Sequence, residues 1–338
     1  MVPRVLESFP KVVESVRMHR PSGFALVLWS LVFCAGGLVV NAAEEPLKSP
    51  SRELLGRWDL TVQGLQGAYP SWIEVKLSGR NTLVGSYVGQ FGSARPVARF
   101  EGEGLSFRFL VPPQWENRTT DVVVEGKLSG DTLSGTVTGD KGEVMAWTGR
   151  RAPDLKRTAP PKWGQPIELF NGRDLTGWSV QYNQVKNGWK VVNGLLTNAE
   201  PGNNLLTDRK FQDFQLKVEF RYPAKSNSGI YLRGRYELQI EDNHGLEAES
   251  HRIGGVYGHL TPSVNAAKPA GEWQTYEATL VGRVLTVVLN GERVIDRQVI
   301  PGITGGALDS DEGAPGPILL QGDHGPVEFR KVTLIPAE

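Results

Sequence analysis

Cysteine is almost absent from this sequence of 338 residues, and the single one, Cys34, lies in an apolar run over residues 24–40. Basic residues precede this run and small residues at 41–43 follow it, an order that is typical of a secretory signal peptide. We therefore predict that residues 1–43 are a signal peptide and that the mature protein is exported, to the periplasm or the extracellular space, without a membrane attachment. A retained membrane anchor is the alternative, since about 17 apolar residues reach the lower limit for crossing a bilayer.

The mature sequence would hold no disulfide, so its stability must come from a sizeable hydrophobic core. The formal net charge is zero, because Lys plus Arg and Asp plus Glu number 37 each. The sequence therefore has no basic excess of the kind that nucleic-acid binding needs. The pair Gly305-Gly306 lacks the spacing and the strand–helix context of a nucleotide-binding motif. Helical periodicity is rare, whereas 40 glycines and 22 prolines favour a turn-rich, all-β protein.

The first predicted domain, residues 52–151, is a small antiparallel β-barrel. Short strands separated by glycine-, asparagine- and aspartate-containing turns indicate an up-and-down barrel; the predicted strands are residues 57–63, 72–77, 83–89, 96–101, 105–111, 121–128, 132–138 and 144–150. Gly56-Arg57-Trp58 resembles the Gly-x-Trp motif of lipocalin-like barrels. So short a barrel has little internal volume, which favours a filled accessory domain over a ligand-holding one. Residues 152–162, rich in proline and basic residues, are a predicted linker.

The second predicted domain, residues 163–338, is a two-sheet β-sandwich. Asn193-Gly194 and Asn290-Gly291 each lie between apolar runs and predict tight hairpins. Two long polar segments, residues 243–271 and 304–316, interrupt the strands, and loops of this length inside a compact domain are usually functional. Many strands and almost no helix indicate a sandwich whose active face is a concave sheet.

The stretch SNSGIYLRGRYELQIEDN, residues 226–243, is the part around which the second domain is organised. It predicts two strands joined by a tight turn at Gly234, with alternate side chains on opposite faces. One face is aliphatic, and the other carries polar side chains, namely Tyr231, Arg233, Glu237, Gln239 and Glu241. This row is denser than solubility requires, so we interpret it as the floor of a polar cleft rather than as a solvated outer face.

A set of segments in the second domain carries a family resemblance. They are FNGRDLTGW from Phe170, NSGIYLRG from Asn227, YELQI from Tyr236, KPAGEW from Lys268, LNG from Leu289, and LQGDHG from Leu320 leading to Phe329-Arg330. In this order they resemble the DUF1080 family, described as 3-keto-disaccharide hydrolase or as 3-keto-glucoside 1,2-lyase and 3-keto-2-hydroxyglucal hydratase. The resemblance implies a concanavalin-A-like jelly roll. The family pattern has Gln-Ile-Leu-Asp where this sequence has Gln239-Ile240-Glu241-Asp242, so the position of the family's aspartate stays open.

The resemblance also implies a substrate, a sugar that another protein has oxidised to a ketone at C3. A base would remove the C2 proton, the C1 substituent would leave by β-elimination, and water could add to the resulting 3-keto-2-hydroxyglucal, which gives net hydrolysis. Such chemistry needs a base within hydrogen-bond reach of C2–H, and donors or a metal at the C3 oxygen.

Glu237 and His324 are the predicted catalytic residues: Glu237 as a base on the polar row, and His324 because histidine titrates near neutral pH. The predicted substrate-binding residues are those that could donate to an oxyanion or stack on a sugar, namely Arg233, Gln239, Tyr257, Lys268 and Trp273. A plain ion pair of Glu237 with a neighbouring arginine and a core position for Trp273 are the structural alternatives. A divalent metal stays open, with Glu241 and Asp242 as candidate ligands, although no tight spacing such as His-Glu-x-x-His occurs.

Two other function classes also stay open. A plain glycoside hydrolase would use two carboxylates, but Glu237 and Glu241 would lie about 13 Å apart along one strand, too far for either usual mechanism. A non-catalytic carbohydrate-binding protein would instead want exposed aromatic side chains. A saccharide is the expected partner in every case, whereas the oligomeric state, the aglycone and the anomer are not predicted.

Overall fold

The computed structural model describes residues 48–114, 120–139 and 142–338. The predicted signal peptide, residues 1–43, lies outside the described residues. Within those ranges, no helix is long and apolar enough to cross a membrane. Apart from a single 3-10 turn, Arg52–Leu54, the regular elements are all strands, and the all-β class predicted from the sequence is confirmed.

One antiparallel sheet forms the N-terminal part of the described chain. Its strands are β1 (Gly56–Gly64), β2 (Gly67–Ser78), β3 (Thr82–Val88), β4 (Arg95–Val97), β5 (Ser106–Val111), β6 (Val122–Ser129), β7 (Thr132–Thr138) and β8 (Val144–Arg151). Their order in the sheet is β4-β3-β2-β1-β8-β7-β6-β5. Two backbone hydrogen bonds between Glu101 and Arg108, at 2.8 and 2.7 Å, join the two ends. The sheet is therefore a nearly closed barrel.

Large side chains fill the barrel interior. Trp58, Phe100 and Trp147 are buried in one hydrophobic cluster, and the Trp58 indole donates a hydrogen bond to the Leu54 carbonyl oxygen at 2.9 Å. Gly126 makes room for this packing, because a Cβ at that position would lie 2.7 Å from the Trp147 ring. The interior is thus occupied by side chains, as a short barrel requires.

Two antiparallel sheets packed face to face form the C-terminal part. Their strands are β9 (Ile167–Glu168), β10 (Trp178–Val180), β11 (Trp189–Val192), β12 (Leu195–Asn198), β13 (Leu205–Thr207), β14 (Phe214–Arg221), β15 (Asn227–Leu232), β16 (Tyr236–Glu241), β17 (Gln274–Val281), β18 (Val284–Leu289), β19 (Glu292–Val299), β20 (Leu319–Leu320) and β21 (Val327–Pro336). The smaller sheet has the order β10-β13-β20-β15-β16. The larger sheet has the order β11-β12-β21-β14-β17-β18-β19, with β9 paired to β21. This is the predicted jelly-roll sandwich.

Local sequence signals explain the strand ends and the core. Asn193 and Asn290 have φ angles of 52° and 53°, and the glycines that follow them have 78° and 90°, the left-handed pair that a type I′ hairpin turn needs. In β14, every second side chain from Phe214 to Phe220 is buried between the sheets, whereas the intervening ones point outward.

Apolar packing joins the barrel to the sandwich. Trp72 and Val88 of the barrel belong to the same buried cluster as the sandwich core. The Trp72 ring meets the His259 ring edge-on, with ring centroids 5.6 Å apart, and a Cβ on Gly302 would lie 2.3 Å from it. The two parts therefore share a continuous hydrophobic core.

A buried charge cluster lies at the same junction. Glu312 is fully buried and accepts hydrogen bonds from the Arg283 guanidinium and from the Tyr236 hydroxyl, the latter at 2.7 Å. Asp59 of β1 is 2% exposed, and neither of its oxygens accepts a hydrogen bond from a donor group within the described ranges. Burial, followed by the charge of Glu312, raises the pKa of Asp59 to about 9. The folded protein therefore favours a protonated Asp59.

Candidate functional site

The hairpin of β15 and β16 carries the polar residues of the site. Tyr231 lies opposite Glu237 in the register, and Gly229 lies opposite Gln239. The alternate residues of both strands are buried in the core, so Tyr231, Glu237 and Gln239 share the face that points away from it. Gln321, which follows β20, donates its backbone N–H to the Gly229 carbonyl oxygen at 2.9 Å and joins the same surface. We call this surface, formed by Tyr231, Glu237, Gln239 and Gln321, the polar face.

Glu237 is the carboxylic acid of the polar face, and its pKa is shifted toward neutral pH. Its side chain is 5% exposed, and burial raises its pKa to about 8. The Tyr231 hydroxyl, the charge of His324 and the Gln321 amide act in the opposite direction, because each favours the ionised carboxylate. A carboxyl that titrates near neutral pH is suited to general-base chemistry, which needs both the protonated and the ionised form.

The two long loops predicted from the sequence both border Glu237. Thr304 Oγ1 accepts a hydrogen bond from the Glu237 N–H at 3.0 Å, and the Tyr257 N–H donates to the Glu237 carbonyl oxygen at 3.0 Å. The Tyr257 ring meets His251 edge-on, with centroids 5.0 Å apart. Burial, together with the nearby charge of Glu237, raises the pKa of Tyr257 to about 12. The loops thus place a neutral, hydroxyl-bearing ring beside the buried carboxyl.

His324 comes from the segment after β20 and lies within electrostatic reach of Glu237. Its Nδ1 is 2.6 Å from Asp323 Oδ1, and this hydrogen bond raises the pKa of His324 although partial burial opposes it. Asp323 therefore favours the imidazolium, and burial favours the neutral carboxyl of Glu237, so both shifts favour the protonated form. Two such neighbouring groups can each hold a proton near neutral pH and release it to a reacting atom.

Two amides of the polar face lack part of their hydrogen bonding. The Gln239 amide nitrogen donates to the His251 carbonyl oxygen at 3.2 Å, and the Gln321 amide donates toward Glu237. The Oε1 atoms of both glutamines are buried and accept no hydrogen bond from the part of the chain that the structure describes. A buried acceptor without a donor costs about 1–3 kcal/mol.

Arg233 does not lie on the polar face, in contrast to the sequence interpretation. Its backbone has a φ angle of 55° at the start of the turn, which ends the strand alternation that was assumed to continue through it. Its side chain is fully buried and donates to the Tyr236 hydroxyl at 3.2 Å and to the Gly282 carbonyl oxygen at 2.6 Å. Arg233 therefore belongs to the charge cluster at the barrel junction and cannot reach a ligand on the polar face.

Trp273 also lies away from Glu237. Its ring is held between the guanidinium groups of Arg221 and Arg330, which lie 4.8 and 4.4 Å from the ring centroid. Both arginines alternate with core residues of the larger sheet, so the ring covers the outer surface of that sheet. Lys268 is exposed and its ammonium donates to the Trp273 carbonyl oxygen at 3.3 Å, which ties it to this segment.

The candidate metal ligands are engaged in local hydrogen bonds. Glu241 Oε2 accepts from the Asn243 amide at 2.9 Å, and Asp242 Oδ2 accepts from the Lys225 N–H at 2.8 Å. No group of three or more His, Cys, Asp or Glu side chains that could hold a metal ion occurs among residues 48–114, 120–139 and 142–338. Glu241 and Asp242 therefore do not fit a metal centre by themselves.

Several residues of the site were not singled out from the sequence. Tyr231 was visible on the polar row, and Gln321 and Asp323 stand in the LQGDHG segment next to His324. The alternation of side chains along the strand was the sequence pattern that placed Tyr231 on the polar face. The contacts of Gly305 and Gly306 with Tyr231 carry no local sequence signal, because they join parts of the chain that are distant in sequence.

Cavity volume and chemistry point to different places in this molecule. A cavity of about 500 Å³ lies against the barrel and is lined by Asp59, Tyr69, Arg150 and Asp311 among others, and one of about 340 Å³ lies near Tyr222. Neither is lined by Glu237 or His324. Asp59, whose pKa is also raised, lines the larger cavity, but we place the candidate site on the polar face because Glu237, Tyr257 and His324 converge there from three separate segments.

A family model covers the residues of the polar face. The model, described as a 3-keto-alpha-glucoside-1,2-lyase-like domain, matches residues 165–335. The chain belongs to this family. The match includes β15, β16 and the segment of His324, and it confirms the resemblance that the sequence segments predict.

Individual relatives are distant. A 3-keto-disaccharide hydrolase of Bacteroides thetaiotaomicron is 22% identical over 166 residues, which make up 38% of this chain and 57% of that protein. The chain thus matches little more than half of the length of this relative. A crystal structure from Parabacteroides distasonis, described as a candidate glycosyl hydrolase, is 27% identical and matches 53% of this chain and 92% of its own, with a TM-score of 0.44. A second from the same organism is 21% identical, matches 51% and 94%, and has a TM-score of 0.43.

Proposed function

We propose that this protein cleaves 3-keto-glycosides by elimination across C1 and C2, followed by addition of water. Glu237 takes the proton from C2, and the electron pair of the C2–H bond moves toward the C3 ketone to give an enolate. The enolate expels the C1 substituent, which leaves as an alcohol after it receives a proton. Water then adds to the 3-keto-2-hydroxyglucal, with its oxygen on C1 and a proton on C2. The net reaction is hydrolysis.

The observation that carries this proposal is the state of Glu237. A C2 proton beside a ketone is a weak acid, so its removal needs a base of higher proton affinity than an ordinary carboxylate. Burial gives Glu237 a pKa of about 8, which increases its strength as a base and keeps it partly ionised near neutral pH.

The neighbours of Glu237 supply the remaining requirements. His324, whose pKa Asp323 raises, is suited to protonate the leaving oxygen or to stabilise charge at C3. The buried oxygens of Gln239 and Gln321 are suited to accept from sugar hydroxyls, and Tyr257 offers a ring and a hydroxyl at the edge. No step of this mechanism passes through a metal.

A two-carboxylate glycosidase is less consistent with the same strand. β16 pairs with β15 without a bulge from Tyr236 to Glu241, so Glu237 and Glu241 are separated by about 13 Å of strand rise. Retaining and inverting glycosidases need carboxyl groups about 5–9.5 Å apart.

The decisive experiment is turnover in D₂O. The purified protein is given a 3-keto-glucoside, and the plain glucoside serves as control. Elimination and hydration put deuterium on C2 of the 3-keto product, and the plain glucoside is not cleaved because its C2 proton is too weakly acidic. A product unlabelled at C2, after correction for spontaneous exchange, or equal cleavage of both substrates would remove the elimination mechanism.

The proposal extends to the compartment. We propose export through residues 1–43, on the strength of the basic, apolar and small-residue order of that segment. N-terminal sequencing of the protein from its native source should find a start near residue 44. A start upstream of residue 24 would contradict it.

A further inference from the structure

The barrel touches the loop that borders the site through backbone atoms on both sides. Residues 90–92 follow β3, and the Gln90 carbonyl oxygen accepts a hydrogen bond from the Gly306 N–H at 2.8 Å. A Cβ on Gly305 would lie 2.3 Å from the Gly92 carbonyl oxygen, closer than real atoms approach. Backbone therefore packs on backbone here, and any movement of residues 90–92 is passed to Gly305 and Gly306.

The same two glycines contact the site on their other side. The Tyr231 hydroxyl donates to the Gly305 carbonyl oxygen at 3.0 Å. A Cβ on Gly306 would lie 2.6 Å from that hydroxyl oxygen. Gly305 and Gly306 thus fill the space between the barrel and Tyr231. The barrel therefore fixes the position of the Gly305 carbonyl oxygen, which accepts the hydrogen bond from the Tyr231 hydroxyl.

Tyr231 has a single hydroxyl hydrogen and two acceptors within its reach. One is the Gly305 carbonyl oxygen, and the other is the carboxylate of Glu237, which stands opposite Tyr231 in the strand register and whose pKa the Tyr231 hydroxyl lowers by hydrogen bonding. We propose that residues 90–92 of the barrel are a positioning segment for the Tyr231 hydroxyl and, through it, for Glu237. This inference rests on the proposed function only for what Glu237 does, because the contacts themselves do not depend on any substrate.

The barrel therefore influences the pKa of Glu237, the proposed base. A hydrogen bond donated to a carboxylate favours its ionised form and lowers its pKa. While the barrel holds Gly305 in place, part of the Tyr231 hydrogen bond is directed to that carbonyl oxygen, and Glu237 retains more of its proton affinity. When the contact is opened, Tyr231 turns to Glu237 and the pKa of Glu237 falls.

The test is a matched pair of glycine substitutions in the full-length mature protein. Gly305→Ala drives a methyl group into the Gly92 carbonyl oxygen, whereas a Cβ on Gly89, in the same barrel loop, has its nearest neighbour at 3.5 Å. The readout is the titration of the Glu237 carboxyl by ¹³C NMR of protein labelled in glutamate, with the resonance assigned by its loss in Glu237→Gln.

We expect Gly305→Ala to lower the pKa of Glu237 by about one unit, the scale of one hydrogen bond to a carboxylate, and Gly89→Ala to leave it unchanged. In a Tyr231→Phe background the hydroxyl is gone, so Gly305→Ala should have no effect on Glu237. An equal shift in Gly89→Ala, no shift in Gly305→Ala, or a shift that persists without the Tyr231 hydroxyl would each overturn the proposal.

A second variant covers the case in which Gly305→Ala does not fold. Gly92 has a φ angle of 86°, so Gly92→Ala strains the barrel segment without adding an atom to the sandwich. The same fall in the pKa of Glu237 is expected, and an unchanged titration would count against the proposal. Because the titration needs no turnover, a protein inert on 3-keto-glucosides would contradict the proposed function and leave this result standing.

Discussion

Gly229 leaves the space in which the Glu237 carboxyl stands: a Cβ on Gly229 would lie 2.6 Å from Glu237 Oε1. We predict that Gly229→Ala displaces the carboxyl and lowers kcat/KM on a 3-keto-glucoside by about 10²-fold or more, the scale of a misplaced catalytic group. Gly313→Ala is the matched control, since its nearest neighbour would be 3.6 Å away. Equal activity of the two variants, with equal thermal stability, would show that the position of Glu237 does not matter.

The pH dependence of turnover should report Glu237. A base acts when it is ionised, and burial raises the pKa of Glu237 to about 8, so kcat/KM should rise as the pH approaches that value. Glu237→Gln keeps the shape, removes the base, and should lower kcat/KM by about 10²–10⁴-fold. A wild-type profile that is flat from about pH 5 to 9, or full activity in Glu237→Gln, would remove this residue from the reaction.

Asp59 should make folding stability depend on pH in an unusual direction. Its folded-state pKa, about 9, lies above the unfolded value of 3.8, so the folded protein holds a proton that the unfolded chain releases. The free energy of unfolding should therefore fall as the pH rises from about 4 towards 9, by up to about 1.4 kcal/mol per pH unit. Asp59→Asn cannot ionise and should remove this slope.

The measurement is urea denaturation at several pH values. Asp311→Asn, which alters an exposed ion pair with Arg150, serves as the control and should leave the slope in place. Parallel curves for the wild type and Asp59→Asn would mean that burial does not raise the pKa of Asp59.

The predicted domain boundary at the linker is tested by residues 163–338 alone. We propose that this part unfolds cooperatively in denaturant, because its two sheets enclose their own core. It should be less stable than the whole protein by about 2–3 kcal/mol, since it loses the burial of Trp72 against the sandwich. A gradual unfolding curve without a cooperative transition would show that the sandwich needs the barrel.

Local patterns were enough to predict most of the fold. The alternation in β14 and the Asn-Gly pairs at 193–194 and 290–291 gave strands and hairpins that the structure contains, because strand parity and type I′ turns depend on adjacent residues. The same parity placed Glu237 and Gln239 on one face.

The sequence interpretation differed from the structure at positions where the alternation of side chains along a strand ends. Arg233 was counted as part of a strand, but its positive φ angle turns its side chain into the core. Trp273 was predicted to stack on a sugar, but it stands just before β17, opposite Arg221 on the outer surface of the larger sheet. The proximity of Asp59 to Glu312 joins the barrel to the sandwich, and no local pattern predicts it because the two residues are distant in sequence.

The backbone contact between Gly92 and Gly305 also limits which residues position 305 can accept during evolution. Gly306 has a φ angle of 77° and would favour glycine in any relative that keeps this turn. At Gly305 the steric reason for glycine is the barrel. A lineage that exchanged the barrel for another domain would release position 305 to mutational drift while position 306 stayed fixed. The identity of that one residue should therefore distinguish, among related sequences, sandwiches that evolved against a barrel from those that never had one.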